Sequence, residues 1–168
     1  PGLAGYHEWR CCYFVRDGRA AVVPPTKSPP AGFHLAEVDA ALLHDPTIGN
    51  REELIEEACS ERESPADFLA RSFGTVLLHE RAVVGWCLSE YNVERRCEVG
   101  IAIDRRFRRR GLAKVLGHAF AQQALAAGVS EIGWHCWEDN VASCATARAL
   151  GFTLVRTYPA HEVRLALA

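Results

Sequence analysis

A chain of 168 residues with 49% hydrophobic and 24% charged residues is long enough to bury one core and too apolar for an intrinsically disordered chain. Its net charge of -2 argues against a generic nucleic-acid binder, although five of the six residues from Arg105 to Arg110 are arginine, so the basic charge is local. No apolar run reaches the roughly 18 residues of a membrane span and no charged-then-apolar leader opens the chain, so a cytoplasmic protein is the simplest expectation.

Seven cysteines, an odd count without a Cys-x-x-Cys pair or zinc-ligand spacing, read as free thiols, and no metal site is expected. A start at Pro1 and the absence of methionine fit a chain that begins inside a longer protein.

Residues 1–32 hold five of the eight prolines. Cys11 to Val15 and Ala20 to Val23 flank Asp17-Gly18, a turn pair, which predicts a hairpin followed by a proline-rich connector. This segment is expected to be an appendage to a globular domain at 33–168. That domain opens with a strand at Phe33 to Leu35 and a short helix through Val38, Leu42 and Leu43, stopped by Asp45-Pro46. Asn50 with Glu53 predicts a capping box for a helix through Leu54, Ile55 and Ala58, and Ser64-Pro65 starts another. The acidic run from Glu52 to Glu63 reads as a solvated face, with a substrate-attracting rim as the alternative.

Thr75 to Leu78 and Ala82 to Leu88 predict a hairpin, followed by a turn near Tyr91-Asn92 into a third strand. That strand alternates, with Val99, Ile101 and Ile103 on one face and Glu98, Gly100 and Ala102 on a nearly empty one. From Leu112 the apolar spacing becomes helical, through Val115, Leu116, Ala119, Phe120 and Leu125 to Gly128. Between strand and helix lies Arg108-Arg109-Arg110-Gly111-Leu112-Ala113. Free backbone donors at a helix N-terminus beside guanidinium groups make a phosphate or pyrophosphate site. The three-glycine dinucleotide fingerprint and the Walker loop are both missing. A strand at Ile132 to Trp137, a helix from Asn140 to Leu150 closed by Gly151, and a pair of strands at Phe152 to Thr157 and Glu162 to Leu167 around Pro159 complete the chain.

The Arg-x-x-Gly-x-Ala loop after an Ile-x-Ile strand resembles the acyl-coenzyme A signature of the GNAT superfamily of N-acetyltransferases. Asn140-x-x-Ser143 with Leu150-Gly151-Phe152 resembles that superfamily's second motif. The runs Gly85 to Tyr91 and Gly133 to Trp137 look like those of a bacterial subgroup with an extra N-terminal region. The resemblance covers about residues 33–168 and implies an α/β fold with a mixed, mostly antiparallel central sheet flanked by helices, with the N-terminal hairpin as an extension. It implies acetyl-CoA as co-substrate, with the backbones of Ile101, Ala102 and Ile103 along the pantetheine arm. Arg108, Arg109, Arg110, Gly111, Leu112 and Ala113 would hold the pyrophosphate, and Asn140 and Ser143 would lie near the thiol end.

The implied reaction is direct transfer of an acetyl group to a primary amine, which requires a base because an alkylamine is mostly protonated at neutral pH. Glu98, on the sparse strand face, is the first candidate, and Glu90 the alternative. A tyrosine that many relatives use as the acid is replaced by Ala147, leaving Tyr91 or Tyr158 as substitutes. Each tyrosine also fits a packing role, Asn140 a plain helix cap, and a nucleophilic Cys144 would need a base that the sequence does not identify. The competing readings are a catalytically weak acyl-CoA-binding sensor or partner domain, and, less favoured, a nucleic-acid patch at Arg105 to Arg110. The acceptor is open, with the acidic balance of residues 36–72 pointing to a cationic amine; homodimerisation is open as well.

Overall fold

A computed structural model describes residues 3–20 and 29–165. Along it run β1 (Leu3–Asp17), β2 (Phe33–Glu37), α1 (Ala40–His44), α2 (Arg51–Ala58), α3 (Pro65–Arg71), β3 (Gly74–His79), β4 (Ala82–Val93) and β5 (Arg96–Ile103). A 3-10 turn (Arg105–Phe107), α4 (Leu112–Ala126), β6 (Glu131–Trp137), α5 (Val141–Ala149) and β7 (Thr153–Leu165) follow. The chain divides into two compact units, residues 17–132 and residues 1–16 with 133–168.

In the first unit β2, β3, β4 and β5 form an antiparallel meander in that order. The β3–β4 turn is closed by Glu80 and Arg81, both at positive φ, the backbone of a tight primed hairpin. Alternation gives the sheet two apolar faces. Val76, Val83 and Leu88 pack with Leu43, Leu54, Ala58 and Phe68 from α1, α2 and α3. The other face takes α4, whose buried stripe is Leu112, Val115, Leu116, Phe120, Ala121 and Ala124. Gln123 of that helix accepts the Thr75 hydroxyl at 3.1 Å. Burial pushes the Cys97 thiol up to about 12 and Cys87 upward too, so both stay protonated and behave as small apolar residues.

Local signals hold where a side chain serves its own turn. Ser64 caps α3 by accepting the Asp67 N–H at 3.1 Å, with Pro65 in the first turn. Asn50 differs from expectation: it sits left-handed at φ 57 and makes no side-chain cap. Its amide donates instead to the Val83 carbonyl at 2.9 Å, so a bond to β4 replaces the capping box.

In the second unit the strand order is β6, β1, β7. This corrects two expectations. The N-terminal stretch is no appendage ahead of residue 33, because β1 pairs antiparallel with β7 from Leu3↔Leu165 to Val15↔Thr153. The second limb of the expected hairpin, from residue 21, and Pro24-Pro25 lie outside the described residues. The pair of strands expected around Pro159 is the single strand β7, with Pro159 opposite Arg10. Proline lacks a ladder donor and is tolerated because β7 ends this strand order. Among the described residues Cys11, Cys12, Phe14, Trp134, Cys144, Ala147, Leu150 and Phe152 form this unit's buried apolar core. Among the described residues no helix is long and apolar enough to cross a membrane.

Candidate active site

The strand–loop–helix segment is built as its sequence requires. Asp104 accepts the Arg106 N–H at 2.9 Å and ion-pairs with its guanidinium, which starts the 3-10 turn. Phe107 meets Phe33 edge-on at 5.5 Å and His79 at 5.1 Å, tying the turn to β2 and β3. Arg108 then donates from Nε to the Ile103 carbonyl at 2.9 Å, closing the loop back onto β5. Arg109 (φ 61) and Gly111 (φ 77) are both left-handed around Arg110. Such alternation turns successive N–H groups to one side and makes an anion-binding concavity.

Gly111 is the N-cap of α4 and supplies no side-chain acceptor, so the first-turn donors are left uncapped. A Cβ there would meet nothing within 4 Å, leaving open space beside those donors. The first turn carries no acidic residue, and the exposed Arg108, Arg109 and Arg110 surround it. Arg110 rests its guanidinium over Phe107 at 5.5 Å. Ile101, Ala102 and Ile103 lead into this loop from the half-buried end of β5. The donor set, the dipole and the open space fit a diphosphate.

On the opposite side of β4 and β5 from α4, Glu90 stands directly across from Glu98. A Cβ on Gly100 would lie 1.6 Å from Glu90 Oε1, so the Glu90 carboxyl fills the space that glycine leaves. The carboxyl lines a shallow, open cleft with Glu57, Ala58, Glu61, Phe68 and Leu88 among its neighbours. Burial, and then the charges of Glu57, Glu61 and Glu98, push Glu90 up to about 7. A carboxylate at that value exchanges its proton at neutral pH, as a general base must. Tyr91 follows at φ 46, exposed, with its N–H held by Glu61 at 2.7 Å. The Glu61 charge pushes its phenol up, so it stays a proton donor.

Asn140 and Ser143 lie in the second unit. Asn140 is the N-cap of α5 and accepts the Ser143 N–H at 3.1 Å. The Ser143 hydroxyl accepts from the indole of buried Trp134 at 3.0 Å. Both side chains therefore serve the fold. Ala147, at the position of the expected tyrosine, is fully buried. Tyr158 stacks edge-on with His135 and lies under the Arg156 guanidinium. The structure thus brings the β5 end and the arginine loop together, and Glu90, Glu98 and Tyr91 together.

Glu57 and Glu61, which the sequence offers first as a solvated face and alternatively as part of a substrate-attracting rim, line the cleft beside Glu90. The available signal for Glu57 was its place in α2 between the apolar Leu54 and Ala58, the stripe that turns the helix onto β4, whereas Glu61 lies past the helix end, where no periodicity places it.

The meander, the left-handed loop and the uncapped helix define a mixed α/β domain with an anion-fitting loop between strand and helix. A profile of the GNAT acetyltransferase family matches residues 23–161, and the chain belongs to that family. No curated protein matches its sequence. Among solved structures it is similar to a GCN5-related N-acetyltransferase-like protein from Streptococcus suis, with TM-score 0.69 and 21% identity over 95% of this chain and 63% of that one. It is also similar to GCN5-related N-acetyltransferases from Kribbella flavida (TM-score 0.63, 18% identity, 95% of this chain and 60% of that one) and Sphaerobacter thermophilus (0.66, 18%, 95% and 53%). The chain spans between half and two thirds of the length of these structures.

Proposed function

We propose that the chain transfers an acetyl group from acetyl-CoA directly to a primary amine in the cytoplasm. The observation that carries the reading is the left-handed Arg109–Gly111 loop ahead of the uncapped α4. Arg108, Arg109, Arg110 and the N–H groups of Gly111, Leu112 and Ala113 would hold the pyrophosphate, and the backbone of Ile101 to Ile103 the pantetheine amides. Asn140 and Ser143 act in this reading by holding the first turn of α5. When bound, acetyl-CoA supplies an activated thioester.

The raised carboxyl of Glu90 supports its role as the base that takes the proton of the acceptor ammonium, with Glu98 opposite keeping that value high. Tyr91 beside it, whose phenol stays protonated, serves as acid for the departing thiolate. The carboxylates Glu57 and Glu61 in the same cleft support a cationic amine as acceptor.

Calorimetric titration with acetyl-CoA and coenzyme A tests the reading, with Gly111→Asp as comparison. Aspartate tolerates a left-handed backbone and caps helices well, so the variant keeps its fold while its charge repels pyrophosphate. Binding that the variant loses, followed by thiol release with an amine panel, is the expected result. Absence of binding by the folded parent would overturn it. Binding without turnover on any amine would favour the sensor reading, for which the buried Ala147 is the supporting observation.

A further inference from the structure

The second unit contains thiol chemistry that the acetyl-transfer reading does not use. Cys136 on β6 and Cys144 on α5 have their sulfurs 3.4 Å apart. Cys11 donates to the Cys136 carbonyl at 3.4 Å, and Cys12 faces Cys144 as well. All four are free thiols. Their exposures differ: Cys136 is half-buried, whereas Cys11, Cys12 and Cys144 are buried. A disulfide needs a sulfur separation of about 2.05 Å, so sulfurs 3.4 Å apart must approach by a little more than about 1 Å to bond.

We infer that Cys136 and Cys144 are a redox-responsive pair that closes to an intramolecular disulfide on exposure to a peroxide. Cys136 meets the oxidant first, because it is the more accessible thiol; burial and the neighbouring Cys136 hold the Cys144 thiol above its ordinary range, so it is the poorer first nucleophile. The Cys136 thiolate attacks one peroxide oxygen, the O–O bond breaks, and hydroxide leaves, giving a sulfenic acid at Cys136. Cys144 then gives up its proton and attacks that sulfur; the S–S bond forms, the S–O bond breaks, and water leaves. Two thiols lose two protons and two electrons, and one hydrogen peroxide becomes two waters.

The bond ties α5 to β6 at the residue after Ser143, whose hydroxyl holds the Trp134 indole. Pulling Cys144 toward the strand strains that hydrogen bond, so closure carries a tryptophan signal.

The experiment treats the folded chain with hydrogen peroxide, quenches it by alkylation, and maps peptides without reduction. A Cys136–Cys144 linked peptide, two hydrogens lighter than the sum of its parts, is expected as the dominant product, together with a change in tryptophan emission that dithiothreitol reverses. Cys144→Ser should abolish the link and leave Cys136 as a sulfenic acid that dimedone captures; Cys136→Ser should abolish both. If the dominant link joins Cys12 to Cys144, or if a Cys136–Cys144 link forms only after denaturation, the inference is wrong. Survival of both thiols under peroxide doses that oxidise free cysteine also overturns it.

Discussion

Replacing Glu90 by glutamine separates the cost of this carboxyl to the fold from its use. In the folded chain Glu90 titrates at about 7, against an ordinary value of 4.5. The folded state therefore binds a proton more tightly than the unfolded chain, and stability must fall as pH rises from about 4.5, levelling off above about 7. At about 1.4 kcal/mol for each pH unit the ceiling is a few kcal/mol, and solvent reaching the half-exposed carboxyl reduces it to about 1–2 kcal/mol. Glutamine mimics the protonated form and removes the penalty. The variant should match the parent near pH 4.5 and exceed it at pH 8, by roughly 2–8 °C in thermal midpoint for a chain of this size.

The assay is thermal unfolding of both proteins, with reductant present, at intervals from pH 4.5 to 8.5. A midpoint difference that stays flat across that range, or a variant that is less stable at pH 8, would refute the burial argument. In acetyl transfer, the same substitution should cost about 10²- to 10⁴-fold in kcat/KM, and should remove a limb centred near pH 7 in the parent profile. Greater stability with lower activity in one variant is the signature of a group strained for function.

Glu57→Gln and Glu98→Gln should each move that limb to lower pH by relieving like-charge repulsion, Glu57→Gln by more, because its charge acts on Glu90 the more strongly; the readout is the pH at half-maximal kcat/KM. Ser143→Ala leaves the Trp134 indole N–H buried without its acceptor, at a cost of about 1–3 kcal/mol, seen as a lower thermal midpoint and altered tryptophan emission that Ser143→Thr largely restores.

What the sequence conveyed depended on how local the determining interaction was. The strand–loop–helix was legible because its period changes from two to 3.6 within ten residues, and because a glycine stands where φ is 77. Ser64-Pro65 was legible because a cap acts within its own turn. The partnership of β1 with β7 was not, since its partners lie some 140 to 160 residues apart and no local signal names them; Asp17-Gly18 offered a hairpin whose turn chemistry was the only nearby information. Pro159 looked like a break because nothing in the sequence says that its strand ends a strand order. Asn50 failed as a cap because a carbonyl 33 residues away, on Val83, competes for its amide.

The empty face of β5 shows the same limit inside the site. Glu98, Gly100 and Ala102 suggest room for a ligand, yet Gly100 is small because the Glu90 carboxyl from β4 occupies that room. The glycine and the raised carboxyl are one feature, and Gly100→Ala tests it. The added Cβ would fall 1.6 Å from Glu90 Oε1, and its three nearest atoms all belong to that flexible side chain, so the backbone need not move. Glu90 must swing toward solvent, where burial no longer holds its proton. The pH limb should move down toward the ordinary carboxylate range with a fall in kcat/KM, while the thermal midpoint at pH 5, where Glu90 is largely protonated in the parent fold, stays nearly unchanged. An unshifted profile in a folded Gly100→Ala protein would mean that the carboxyl owes its value to Glu57 and Glu61 rather than to the space beside Gly100.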